Sequence, residues 1–198
     1  MPFHVSMACP SGKLPLARRT LLRAGLCGVG ALLVPRVAQA TLFRGLSLPE
    51  LAKLSELILL VTPLDASSHW EELGGRQRIV TDTRVRVEDV VAKAAPSNGE
   101  LLVRTLGGTV GDRAALVNGE AALFVNQTSV LFLVRFAGAL RVTAMAQGHY
   151  PLRSDADRVV RLTESLHAPE LVGEGQPAMH LLPGLELDRA RALIRKAL

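Results

Sequence analysis

The chain has 198 residues, of which 48% are hydrophobic and 21% charged, a composition typical of a globular protein. Its formal net charge is +5, but five of its 23 basic residues and none of its 18 acidic residues lie in the first forty positions. The remaining chain has 18 basic and 18 acidic residues, and this balance argues against nucleic-acid binding, which normally needs a basic excess. Both cysteines also lie in the first forty positions, so residues 41–198 can form no disulfide.

The first forty residues predict an export signal. Arg18 and Arg19 form a cationic head, residues 24–34 form an apolar core, and Ala38 and Ala40 are the small residues that a signal peptidase requires. The apolar core is too short to cross a bilayer, which takes roughly 20 residues. We therefore expect cleavage after position 40, no stable membrane insertion afterwards, and a soluble protein in the periplasm or outside the cell.

The surroundings of the arginine pair resemble a twin-arginine leader. Leu21 and Leu22 follow the pair where such leaders carry apolar residues, and Arg23 occupies a basic position of the motif. Ala17 departs from the motif, which has Ser or Thr before the arginines. The resemblance implies export by the twin-arginine route.

The first elements after the leader are predicted to be a helix and a strand. Ser47 and Glu50 have the spacing of a capping box, which predicts a short helix over residues 48–55. The apolar run 57–62 is typical of a buried strand, and Pro63 is predicted to end it. Polar residues then predict turns or loops as far as Gly75.

The next hundred residues carry a pattern of short strands. Val and polar residues alternate over 78–91, and further apolar runs separated by turn residues follow. Asn118-Gly119 predicts a hairpin between 114–117 and 121–125, and a second hairpin is expected over 130–145. The pattern predicts a mainly β fold, a single small antiparallel barrel or sandwich that could be OB-like.

The chemistry of the chain changes after Pro151. Residues 153–185 mix charges, Gly and Pro, which predicts an irregular extension, whereas 186–198 have the spacing of an amphipathic helix. We therefore divide the chain into a signal peptide (1–40), a β domain (41–152), and an extension with a C-terminal helix (153–198).

Two short segments contain candidate catalytic or binding residues. His149 and Tyr150 follow a glycine beyond the last predicted strand, where His149 could serve as a general base. The structural alternative is that Tyr150 closes the end of the barrel with its hydroxyl bonded to the backbone. His69 and Trp70 precede two glutamates and form a second, weaker candidate; Trp70, His149 and Tyr150 could also form the rim of a ligand site. The histidine spacing does not fit a metal site, and nothing in the sequence implies a cofactor.

Residues 48–152 resemble a group of small exported bacterial proteins of unknown function. The matching segments are 54–57 (Leu-Ser-Glu-Leu), Ser68-His69-Trp70, 79–83, Gly107-Gly108, Gly119-Glu120 and 147–150. The resemblance supports a shared barrel-like fold and assigns no catalytic residue.

Three functions remain open from the sequence. The first is a non-catalytic domain that binds another exported protein or an envelope component through a strand edge or a loop rim. The second is a hydrolase-like enzyme that uses His149. The third is an OB-like domain that binds an oligosaccharide or a single strand, although zero net charge and few aromatic residues disfavour nucleic acid.

Overall fold

The computed structural model describes residues 43–93, 99–173 and 175–198. These residues form a mainly β protein with three α-helices. The strands are β1 (Phe43–Arg44), β2 (Leu57–Leu73), β3 (Arg76–Lys93), β4 (Glu100–Leu106), β5 (Gly108–Val110), β6 (Arg113–Ala115), β7 (Ser129–Phe136), β8 (Ala139–Val142), β9 (His149–Ser154), β10 (Val160–Leu162) and β11 (Leu171–Val172). The helices are α1 (Leu48–Leu54), α2 (Ala178–Leu181) and α3 (Leu187–Lys196), and a 3-10 helix spans Met145–Gly148.

Seven strands form the main sheet, in the order β10-β9-β7-β2-β3-β4-β8. Strand β7 also pairs with β8, and β4 and β8 run parallel. Strand β7 therefore has three partners, because β9 and β8 share one of its edges. The predicted mainly β class is confirmed. The arrangement is not a clean closed barrel, since β9 and β10 continue the sheet away from the paired β7 and β8.

The longest element is the hairpin of β2 and β3, and it corrects the prediction that the first strand ends at Pro63. Strand β2 continues through Pro63 to Leu73, and its register against β3 shifts between Pro63 and Asp65. A proline is tolerated at such an irregularity, where the regular ladder of hydrogen bonds is already interrupted. The Ser68-His69-Trp70 segment consequently lies in a strand and not in a loop.

The predicted hairpin at Asn118-Gly119 is also wrong. Strand β6 ends at Ala115 and pairs backwards with β5, and residues 121–125 form no strand. The amide of Glu120 donates to the carbonyl of Val117, at 3.2 Å, so the chain makes a local turn here. A favourable turn sequence was therefore not sufficient to form a hairpin, because residues 121–125 pair with no strand.

The segment after Pro151 is more regular than predicted. Strand β9 extends to Ser154, β10 pairs with it antiparallel, and β11 pairs parallel with β1. Leu162 in β10 is fully buried in the core, which explains why this polar stretch is ordered.

The sheet carries an apolar cluster on each face. One cluster lies beneath the helices and contains Leu51 of α1, Phe132 of β7, Tyr150 of β9 and Ile194 of α3. The other cluster is formed by residues of β2, β3, β4, β7 and β8 together with Ala121. The face of α3 that packs on the sheet includes Ala190 and Ile194, and it is the apolar face that the amphipathic pattern predicts. No helix in the described part of the chain combines the length and the apolar character that membrane crossing requires.

Candidate functional site

His149, the first candidate catalytic residue, is buried between two serines. Its Nδ1 lies 2.8 Å from Oγ of Ser165, and its Nε2 lies 3.2 Å from Oγ of Ser129. The Ser129 hydroxyl donates to the carbonyl of Gln127, at 3.3 Å, so it accepts from Nε2–H. Nδ1 is then unprotonated and accepts the proton of the Ser165 hydroxyl.

This pairing of a hydroxyl with a neutral imidazole is the arrangement that activates a nucleophile, but both groups are enclosed. His149 is 1% exposed and Ser165 is 3% exposed. Burial lowers the pKa of His149 from 6.5 to about 4, so the ring is neutral at physiological pH. A substrate would have to displace the segment around Ser165 to reach it. The observed geometry suits a role in holding that segment against β7 and β9.

Tyr150 is fully buried next to His149 in sequence and faces the helical side of the sheet. Its hydroxyl donates to the carbonyl of Gln147 at 2.7 Å, and its ring meets the ring of Phe132 edge to face, with centroids 5.9 Å apart. Burial raises the pKa of Tyr150 well above its ordinary value. The hydroxyl therefore stays protonated. Its bond to the backbone agrees with the structural alternative considered for this residue, but the ring packs beneath the helices and does not close the end of a barrel.

His69 and Trp70 lie on β2, in a different part of the sheet. His69 belongs to a polar cluster, with Nε2 3.5 Å from Oε2 of Glu71 and Nδ1 4.0 Å from Oδ2 of Asp82. Arg104 of β4 joins the cluster by bonding Asp82 through two nitrogens, at 2.7 and 2.8 Å, and by bonding Glu71. Hydrogen bonds from Arg104 lower the pKa of Asp82. Trp70 is the next residue of the strand, so its side chain points to the opposite face.

A cleft that sequence reasoning did not identify lies beside this cluster. It has a volume of about 460 Å³ and separates the first half of β4 from the turn between β7 and β8. We call it the β4 cleft; its lining residues are Asp82, Leu101, Leu102, Arg104, Arg135 and 137–140.

The β4 cleft borders a strand edge without a partner in the described residues. The amide of Val87 donates to the carbonyl of Gly99, and the amide of Gly107 donates to the carbonyl of Ile79. These two bonds flank β4 and both fall at odd-numbered residues, so the odd-numbered residues of β4 direct their backbone groups to β3. The even-numbered residues, including Glu100 and Leu102, therefore turn their backbone groups to the other edge. Strand β8 meets that edge only at positions 103 and 104. This pairing brings the carbonyl of Leu102 to the amide of Leu140, whereas the amide of Leu102 and the backbone groups of Glu100 have no partner among the described residues.

The structure does not bring the sequence-predicted candidates into one site. His149 and Tyr150 share β9 but belong to separate hydrogen-bond groups, and His69 and Trp70 lie on the β2–β3 hairpin. Ser129 and Ser165 were missed because nothing in their local sequence distinguishes them from other serines. Arg18, Arg19, Ala38 and Ala40 lie outside the described residues.

Comparison with known proteins adds no assignment. The chain matches no protein-family model, and neither the curated proteins nor the solved structures contain a significant match. Within 43–93, 99–173 and 175–198, no three His, Asp or Glu side chains are grouped so that they could hold a metal ion.

Proposed function

We propose that the protein is a non-catalytic binding module that holds an extended segment of another exported protein or envelope component in the β4 cleft. The observation that carries this proposal is the open edge of β4 beside a cleft of about 460 Å³. An unpaired strand edge offers amides and carbonyls to an extended chain, which adds to the sheet as a further strand.

Side chains around the open edge support the same function. Leu102 is 54% exposed and offers an apolar contact next to the backbone groups. Arg135 lines the opposite side of the cleft, whereas Arg104 is held by its carboxylate partners. An extended peptide would thus find backbone bonds, an apolar contact and one available cation within a single cleft.

We further propose that β2, β3, β4, β8 and β7 form a partly open, OB-like barrel. The proposal is supported by the pairing of β7 with both β2 and β8, which joins these five strands in a ring. OB folds bind oligonucleotides and oligosaccharides on one face of such a barrel. A peptide is favoured here over a single strand, because none of the described residues that line the cleft is aromatic and could stack on a base.

The hydrolase-like alternative is supported by the hydroxyl of Ser165, which lies 2.8 Å from Nδ1 of His149. Burial of both groups opposes it. The binding proposal does not need a buried segment to move, and we therefore favour it.

The binding proposal predicts a specific effect of Leu102→Pro. Proline removes the amide that faces the cleft, and this amide makes no bond to β3, so the ladder between β3 and β4 is kept. With a photo-crosslinking residue at position 139, we expect the native chain in its own cell envelope to crosslink to a discrete partner. The crosslink should fall at least tenfold in Leu102→Pro.

Leu102→Ala is the matched control, since it removes the side chain and keeps the amide. It should retain most of the crosslink, and all three proteins should have similar melting temperatures. Unchanged crosslinking in a folded Leu102→Pro protein would contradict binding at the strand edge.

We also propose that the protein reaches the periplasm by the twin-arginine route. Replacement of Arg18 and Arg19 by lysines is expected to leave the full-length chain in the cytoplasm, because the arginine pair is the feature that this route recognises. Cell fractionation with N-terminal sequencing would measure the result, and the unaltered protein should begin at Thr41. An exported, processed lysine variant would exclude this route.

A further inference from the structure

A second cavity lies under the segment that follows β6, on the face of the sheet opposite the helices. Its volume is about 180 Å³, and its apolar and polar walls come from β3, β4, residues 107–108, 115–117 and 120–123, and His167. Three inward-facing threonines line it, Thr81, Thr83 and Thr105. The neighbouring inward positions are occupied by valines, so this end of the core is locally polar. We call it the threonine cavity.

Glu120 lines the threonine cavity and is only 9% exposed. Its two carboxylate oxygens accept the amides of Leu106 and Ala121, both at 3.1 Å. Within the described part of the chain it forms no salt bridge, although Arg141 is close enough to attract it. Burial nevertheless raises its pKa. A carboxylate that is enclosed and forms no salt bridge within the described residues is stabilised further when a cation binds directly to it.

The size of the threonine cavity restricts what could supply that charge. Ligand pockets for small molecules are typically about 300 to 1,000 Å³, well above the 180 Å³ found here. Leu106, Val117 and Leu123 provide apolar wall, which would suit a methylene chain better than a hydrated ion. The cavity therefore fits one long side chain with a cationic end.

The surface around the cavity is apolar and exposed. Leu116, which lines the opening, is 79% exposed, and Leu166, which precedes the lining residue His167, is 67% exposed. A protein partner bound over the cavity would remove these two exposed leucines from water. The surroundings thus point to a protein partner as the source of the side chain.

We propose that the threonine cavity receives a lysine side chain from a protein partner. The ammonium group pairs with Glu120 and donates to threonine hydroxyls, and the methylene groups contact the apolar wall. Lysine suits this site because its compact ammonium has three donors in different directions, whereas the planar guanidinium of arginine favours a paired acceptor. This site is separate from the β4 cleft and does not depend on its function.

Titration with N-acetyl-L-lysine amide, followed by amide NMR spectra of the labelled protein, tests the proposal. We expect saturable shifts at millimolar concentrations, centred on Thr83, Leu106 and Ala121. N-acetyl-L-norleucine amide is the matched probe without an ammonium group, and it should give at least tenfold weaker binding. Absence of saturable shifts, or equal binding of the two probes, would overturn the proposal.

Two variants connect the binding to the named side chains. Glu120→Gln keeps the size of the residue and removes its charge, so binding should weaken at least tenfold, whereas Glu164→Gln at an exposed position should change nothing. Thr83→Val serves if Glu120→Gln does not fold, and it should weaken binding several-fold. Unchanged binding in the folded variant that is tested would also reject the proposal.

Discussion

Between pH 7 and pH 5 the protein is expected to lose about 2 kcal/mol of unfolding free energy through one residue, His149. The folded protein holds this ring neutral, with a pKa of about 4, whereas the unfolded chain has the ordinary value of 6.5. The unfolded state therefore binds more protons in this interval. Stability is fully present above pH 6.5 and falls as the pH decreases towards 4. The size of the loss follows from about 1.4 kcal/mol per pKa unit.

Urea unfolding at a series of pH values would measure this dependence. His149→Gln carries no titrating ring, so its loss between pH 7 and pH 5 should be smaller than that of the native protein by about the same 2 kcal/mol. Parallel pH profiles for the native protein and His149→Gln would show that His149 is not the group responsible.

Gly148→Ala is expected to destabilise the fold by about 3 kcal/mol, because a Cβ atom has no room there. Added at this position, it would lie 2.4 Å from the carbonyl oxygen of Thr143 and 3.2 Å from that of Phe132. Both neighbours are backbone atoms. The amide of Thr143 donates to the same carbonyl of Phe132, at 2.8 Å, so these two residues cannot move apart without losing this bond.

Thermal unfolding would detect this loss as a fall in melting temperature of about 8 °C. Gly99→Ala is the matched control, since a Cβ there meets no atom of the described residues within 4 Å. It should change stability by less than about 1 kcal/mol. Equal melting temperatures for the two variants would show that the backbone around Gly148 adjusts freely.

Local patterns in the sequence predicted the mainly β class and the helices at 48–54 and 187–196, but they missed parts of several strands. The capping box before α1 is present, with the Glu50 carboxylate 2.9 Å from the Ser47 amide, and both the α1 and α3 helices were expected. Pro63 was wrongly predicted to end β2, because the effect of a proline in a strand depends on the partner strand. Strand β3 tolerates a register shift there, and a single sequence does not contain that information.

The candidate site was less predictable than the fold. The bond between His149 and Ser165 links residues on two different segments, and no spacing rule connects them. The β4 cleft arises because β8 pairs with β4 only from position 103, a consequence of where the turn after β7 falls. Individual side chains could be selected from the sequence, whereas their neighbours depended on strand register.

The long β2–β3 hairpin also affects the order in which contacts can form. Its strands are joined by a two-residue turn, so their pairs can form one after another from Leu73 and Arg76, each closing only a short additional loop. Leu57 of β2 can pair with Leu133 of β7 only after the 75 residues between them have closed a loop. Closing that much longer loop costs more entropy and slows the non-local pairing. Until β7 arrives, the apolar residues 57–61 present an unpaired strand edge, which is the kind of surface on which chains aggregate. The newly made protein is therefore most vulnerable to aggregation while its longest hairpin is already formed.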